Sequence, residues 1–235
     1  MKLFFRKLIL GKPEVDSQPV ERAFDKRIKN IKAIWNNEQH NDIGIEKILR
    51  LFLAISQFIF PGTYVKQVFG KKGIAYQDLS VDFFVLLKVI FPVLILYYNW
   101  NNYYLFIVLM WFLLETMLYI PTLIFASDIF SRPRSYRRSM LLLFFNYLEV
   151  VFSFGVIYNR CSMLNKPFEY WFDPIYFSFI TSATIGFGDF YPVTHLGKFL
   201  VSLQSIIFLI FIVLFINFFS NKVETYGYFN SNNKS

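Results

Sequence analysis

The chain has 235 residues, of which 55% are apolar and only 17% charged, with 31 Phe and a net charge of +8. A soluble domain carries about 25% charged residues, so this composition, with a mean hydropathy of +0.42, excludes one, and the aromatic content excludes a disordered chain. The single cysteine, Cys161, rules out an intrachain disulfide framework, and Arg6 and Lys7 interrupt the opening where a signal peptide needs an unbroken apolar stretch. An all-α integral membrane protein with a basic amino-terminal part is the class that remains.

Residues 1–80 hold 14 Lys and Arg against 8 Asp and Glu. Phe24, Ile28, Ile31 and Trp35 recur at helical spacing, opposite Asp25, Lys26, Lys29 and Lys32. Two readings of that helix stay open: packing on its own domain or a neighbouring subunit, or lying on an anionic lipid surface. No recognition motif for nucleic acid accompanies the basic run. Residues 48–60 are apolar but contain Arg50 and Gln57, and at 13 residues fall short of the roughly 17–25 a span needs. They read as an interfacial or buried helix ending at Pro61 and Gly62, followed over 61–80 by a polar connection with Lys66, Lys71 and Lys72.

Four segments then have the character of membrane spans. They are 82–98, interrupted by Lys88 and Pro92; 103–126, with Glu115 and Pro121; 140–158, with Asn146 and Glu149; and 199–219, which has no charge. The last reaches about 31 Å at about 1.5 Å per residue, enough for the hydrocarbon core. Lys88 is expected to snorkel toward the nearer interface, with a pair to Glu115 or Glu149 as the alternative. The two glutamates, near mid-membrane, are either functional carboxylates or hydrogen-bonded packing residues. Arg132, Arg134, Arg137 and Arg138 mark the 127–139 link as cytoplasmic. Both termini then lie inside and 159–198 outside, which puts 20 Lys and Arg on the inner side and three on the outer. The cell membrane is the expected location.

The chemistry sits in 171–192, WFDPIYFSFITSATIGFGDFYP. Asp173 and Pro174 read as a helix start, with the Asp173 carboxylate accepting from the first free N–H groups. About ten helical residues give only roughly 15 Å, so this half-helix enters the membrane and the chain must return. Irregular backbone at that depth is tolerated only when buried in protein or lining an aqueous path. Gly186 and Gly188 permit φ > 0, which lets the carbonyls of Thr184, Ile185, Gly186 and Phe187 face one axis as stacked oxygen rings. Such rings replace the water shell of a hard monovalent cation. Ile185 and Phe187 are expected to point away from that axis and wedge against Trp171, Phe172, Tyr176 and Phe177.

Thr184 to Asp189, TIGFGD, resembles the signature of tetrameric potassium channels, and Tyr191, Pro192, Val193, Thr194 and Gly197 resemble the outer mouth of bacterial members. The resemblance covers roughly 140–219, as outer helix, pore helix, filter and inner helix. Together with the charge and hydropathy pattern it gives a division into a basic region 1–80, two peripheral spans and a basic loop over 81–139, which the resemblance does not reach, a pore domain over 140–220 and a short tail over 221–235. It further implies a potassium-selective homotetramer with potassium as permeant ligand, no enzymatic activity and no cofactor. Gly188, Asp189, Tyr176 and Asp173 would support the filter. Phe187 stands where Tyr is commoner, Ala183 where many relatives have Thr, and Tyr176 where many have a Trp that bonds the filter Asp. The last span lacks a hinge glycine.

Asn217, the strongly polar residue in the inner half of the last span, is expected to line the inner mouth, with a helix cap or interhelical bond as the alternative. His195 reads as solvated near the outer mouth and Cys161 as a free outer-loop thiol. No span carries a basic residue at every third position, so no voltage sensor is expected. Two other functions stay open: a non-conducting membrane sensor or scaffold, and a subunit of a cation transporter with a related pore loop. Transporter chains of that kind carry four loops with single glycines, whereas here one loop has two.

Overall fold

The computed structural model describes residues 23–38, 42–70, 73–126 and 136–223. The elements in chain order are α1 (Ala23–Trp35), α2 (Ile45–Ser56) with a 3-10 turn (Gln57–Ile59), α3 (Pro61–Gly70), α4 (Ile74–Tyr97), α5 (Tyr103–Phe125), α6 (Tyr136–Arg160), α7 (Asp173–Ser182) and α8 (His195–Val223). Among the described residues the extended pairing is one isolated antiparallel bridge, Leu164 with Pro192. Four helices, α4, α5, α6 and α8, are long and apolar enough to cross a membrane. The fold is that of an all-α integral membrane protein. The loop arginines Arg132 and Arg134, the first 22 residues and the tail beyond 223 lie outside the described residues.

The chain forms two compact units. The first holds Met1–Lys88 and Leu114–Ser131. In it α1 packs on α2, and Ile34, Ala54 and Ala126 form a small buried core flanked by Ile31 and Leu51. The buried side of α1 is shifted from the stripe expected from periodicity: Arg27 and Ile34 are covered, Ile31 flanks the core and Phe24 packs edge-on against Phe58, while Trp35 stays exposed. The reason lies in α3 and the turn before it. The Arg27 guanidinium stacks over Phe58 and Tyr64, at 5.3 and 4.7 Å from the ring centroids, and donates to the Thr63 hydroxyl. A charge whose body lies on two rings is buried as an aromatic partner.

The stretch expected as a polar connection over 61–80 is instead helical, as α3 and the start of α4. Pro61 opens α3, where its missing N–H costs nothing, and α3 leaves the axis of the preceding helical segment at 62°. Lys88 corrects a second expectation. It does not snorkel: it is 3% exposed, lies 3.5 Å from the Glu115 carboxylate and donates to the Thr116 hydroxyl. The other Glu115 oxygen accepts from the Gly62 N–H at 3.0 Å. Glu115 thus joins α5 to both Lys88 of α4 and the first turn of α3. Further hydrogen bonds help to offset the cost of burying an ion pair: here each partner has one, Lys88 to Thr116 and Glu115 from Gly62.

The second unit holds Val89–Leu113 and Arg132–Ser235. Its core gathers Ile95, Leu96, Leu109, Val156 and Ile175. Helix α7 packs between α6 and α8, and Gly155 of α6 makes this possible. A Cβ there would stand 3.1 Å from the Pro174 carbonyl oxygen, tighter than an ordinary contact, so the missing side chain lets the start of α7 rest closely on the α6 backbone. Glu149 of α6 is fully buried in this unit.

Candidate functional site

Helix α7 has ten residues, which is about 15 Å of helix. Asp173 stands inside its first turn, with Phe172 already helical and no side-chain cap bond to the helix. The expected capping is corrected accordingly. The Asp173 carboxylate turns back to accept from the N–H groups of Glu169 and Tyr170, at 3.0 and 2.9 Å. It fastens the incoming loop while its charge suits the positive helix end.

The carboxyl end of α7 runs straight into the glycine-containing strand. The N–H of Ala183 donates to Phe179 at 2.8 Å, that of Thr184 to Thr181 at 3.1 Å and that of Ile185 to Ile180 at 2.9 Å. From there the backbone alternates: φ is +55° at Thr184, +56° at Gly186 and +85° at Gly188, with Ile185 and Phe187 between them outside the left-handed region. Peptides of alternating hand bring successive carbonyls to the same side of the strand. Thr184 holds this conformation without being a glycine, at a cost of about 1–2 kcal/mol. Strain of that kind concentrates at functional sites.

Behind the strand, Tyr176 of α7 lies close enough to the Asp189 carboxylate to interact with it electrostatically, so these two sequence-selected residues do meet. Asn165, which the sequence reading passed over, clamps the segment after the strand. Its side chain accepts from the Tyr191 N–H at 3.0 Å and donates to the Asp189 carbonyl at 3.3 Å, while its own N–H donates to the Tyr191 carbonyl at 3.0 Å. Phe168, Phe177 and Phe190 pack ring against ring around this loop, and Tyr158 of α6 closes the cluster against Phe177. In the single chain Ile185 and Phe187 are 55% and 69% exposed, and the Phe177 ring packs on Tyr158, Phe168 and Phe190.

A second polar group lies deeper, between α6, α7 and α8. Gln204 of α8 is 1% exposed. Its Nε2 donates to the hydroxyls of Ser178 and Ser182, both at 2.7 Å, and to the Ser178 carbonyl at 3.0 Å. Its Oε1 accepts from the Tyr158 hydroxyl at 2.8 Å. Asn217 is exposed on α8, and the helix continues past it to Val223, so it is no terminal cap. His195 is the first residue of α8, and Cys161 is a free, half-buried thiol.

Four spanning helices, with a half-helix returning through a strand of alternating hand, define a membrane protein built around a polar backbone segment. Residues 146–225 match the family model described as "Ion channel", a range that takes in most of α6, all of α7, the strand and α8. The chain is therefore a multi-pass membrane protein of which residues 146–225 are similar to ion-channel proteins. Comparison with curated proteins and with solved structures gives no match.

Proposed function

We propose that the chain forms a potassium-selective channel in the cell membrane, as a homotetramer with both termini cytoplasmic and without a voltage sensor. The alternation of positive φ at Thr184, Gly186 and Gly188 carries this reading. One strand supplies one quarter of each oxygen ring, and a cyclic assembly of four copies closes it. The carbonyls of Thr184, Ile185, Gly186 and Phe187 then replace the hydration shell of potassium ions. Gly188 ends the strand, and Tyr176, placed beside the Asp189 carboxylate, supports its outer end. Asp173 supports it indirectly, by fixing the loop that enters α7. The exposed Ile185 and Phe187 side chains face neighbouring chains in such a ring. Asn217 lines the inner mouth.

The amino-terminal unit contacts lipid through α2 rather than α1. Ile45, Ile48, Phe52, Ile55 and Ile59 are all exposed and recur at spacings of three and four, which gives one apolar stripe. The opposite face of α2 packs through Leu53 and Ala54. Ala54 meets Ala126, the residue that follows α5, so α2 sits at the membrane boundary where that span ends. Trp35 and Lys47, stacked at 5.9 Å, suit the headgroup level, where a basic residue favours anionic lipid.

Liposomes loaded with potassium chloride and diluted into sodium chloride test the conduction. A potassium-selective pore makes the lumen negative, and a protonophore then draws protons in, quenching a pH dye. Quenching above that of empty liposomes is expected. No difference from empty liposomes contradicts the reading, as does a cross-linking ladder that stops short of four chains.

A further inference from the structure

Gln204 stands where three helices meet. From α8 it reaches Ser178 and Ser182 of α7, two residues one helical turn apart on one face, and it receives the Tyr158 hydroxyl from α6. Each group in this cluster is engaged. Ser178 also donates to the Val151 carbonyl of α6, and a hydrogen bond joins Ser182 to Tyr147. Gln204, Ser178 and Ser182 are each at most 1% exposed, and Tyr158 is 2% exposed. A glutamine amide has two donor hydrogens and one acceptor oxygen: the two hydrogens are shared among the Ser178 and Ser182 hydroxyls and the Ser178 carbonyl, and the oxygen receives Tyr158.

The position of Ser182 gives the cluster its meaning. It is the last residue of α7, two before Thr184, where the backbone turns left-handed. What holds Ser182 holds the anchor of the strand, because Thr184 and Ile185 hang from the last turn of α7 by the Thr181 and Ile180 carbonyls. A buried amide with every group satisfied fixes one geometry, whereas an apolar contact of the same volume permits sliding.

We infer that Gln204 is a positioning residue for ion discrimination: it locks the carboxyl end of the pore helix to the inner helix and thereby fixes the spacing of the filter oxygens. The inference rests on the potassium-channel reading. It adds a route by which movement of α8 reaches the filter, since any displacement of Gln204 pulls directly on Ser182. Tyr158 is the stationary end of the clamp, held in the aromatic cluster by Phe177 and Phe154.

The test uses the purified full chain in planar bilayers, with potassium on one side and sodium on the other. Gln204→Met keeps length and apolar packing but loses every hydrogen bond of the clamp. Its potassium-to-sodium permeability ratio is expected to fall about tenfold, equivalent to about 1.4 kcal/mol, with shortened conducting bursts. Ser182→Ala removes the contact nearest the filter together with the link to Tyr147, a smaller change to folding, and is expected to give a partial fall in the same direction. Tyr158→Phe leaves both donor contacts in place and is expected to reduce the ratio least. Gln204→Glu, which keeps the side-chain length and the oxygen that receives Tyr158, is expected to retain more of the ratio than Gln204→Met. A residue of purely structural importance would lower the yield of assembled channel and leave the reversal potential of surviving channels unchanged. Reversal potentials and burst lengths equal to wild type in both Gln204→Met and Ser182→Ala therefore overturn the clamp alone. A wild-type chain that does not distinguish the two cations overturns the potassium-channel reading, and the clamp with it.

Discussion

A Cβ on Gly186 would meet no atom within 4 Å, so crowding within the chain does not forbid a side chain there. The φ of +56° disfavours one, at about 1–2 kcal/mol for an L residue, repeated in each of four copies. Gly186→Ala is accordingly expected to assemble but to lose its current or its preference for potassium, read by reversal potential. Wild-type selectivity in this variant would contradict the assignment of the strand. The two glycines are legible in the sequence because glycine announces the left-handed backbone. Thr184 shares that backbone and announces nothing. Asn165 and Gln204 were equally hidden, since Gln204 bonds side chains 22 to 46 positions away, and periodicity carries no information on which polar groups meet across helices. Lys88 takes the Glu115 pair, the alternative that the sequence leaves open, because which helices bring their polar groups together is not written in periodicity.

At the scale of elements, the spans were legible because each is a long apolar run, and α7 because Asp173, Pro174 and the glycines bracket it. Their ends were not. Helix α4 begins at Ile74, within what reads as a polar link. Polar residues in a first helical turn resemble a loop in composition, and here Ser80 bonds back to the Gln77 carbonyl at 2.8 Å. The buried side of α1 is shifted because Arg27 behaves as a core residue once Phe58 and Tyr64 lie beneath it. Helix α2 then presents the uncovered stripe. A nitroxide attached at Phe52→Cys, in a Cys161→Ser background, is expected to collide more with lipid-soluble oxygen than with a water-soluble nickel chelate. The reverse order would remove α2 from the bilayer. On α8, Asn217→Cys in the same background is expected to react with a charged thiol reagent from the cytoplasmic side and to change the open-channel current. Modification without any change in conductance or open probability would place Asn217 off the ion path.

For the whole molecule, the distribution of charge bears on gating. Among the described residues Lys88 is the basic residue deep within a span, and it is paired with Glu115. A neutral pair moves no net charge, and one charge crossing the field yields only about 2.3 kcal/mol per 100 mV. The conductance is therefore expected to vary weakly with voltage, and a steep conductance–voltage curve would contradict the absence of a sensor. Selectivity depends instead on four strands closing one ring. Single-channel recording of the unmodified chain, with potassium on one side of a planar bilayer and sodium at equal concentration on the other, reads that ring directly. Current reversing far from zero, at the voltage that opposes potassium flow, is expected. Reversal near zero would mean that the oxygens of Thr184 to Phe187 do not discriminate between the two cations.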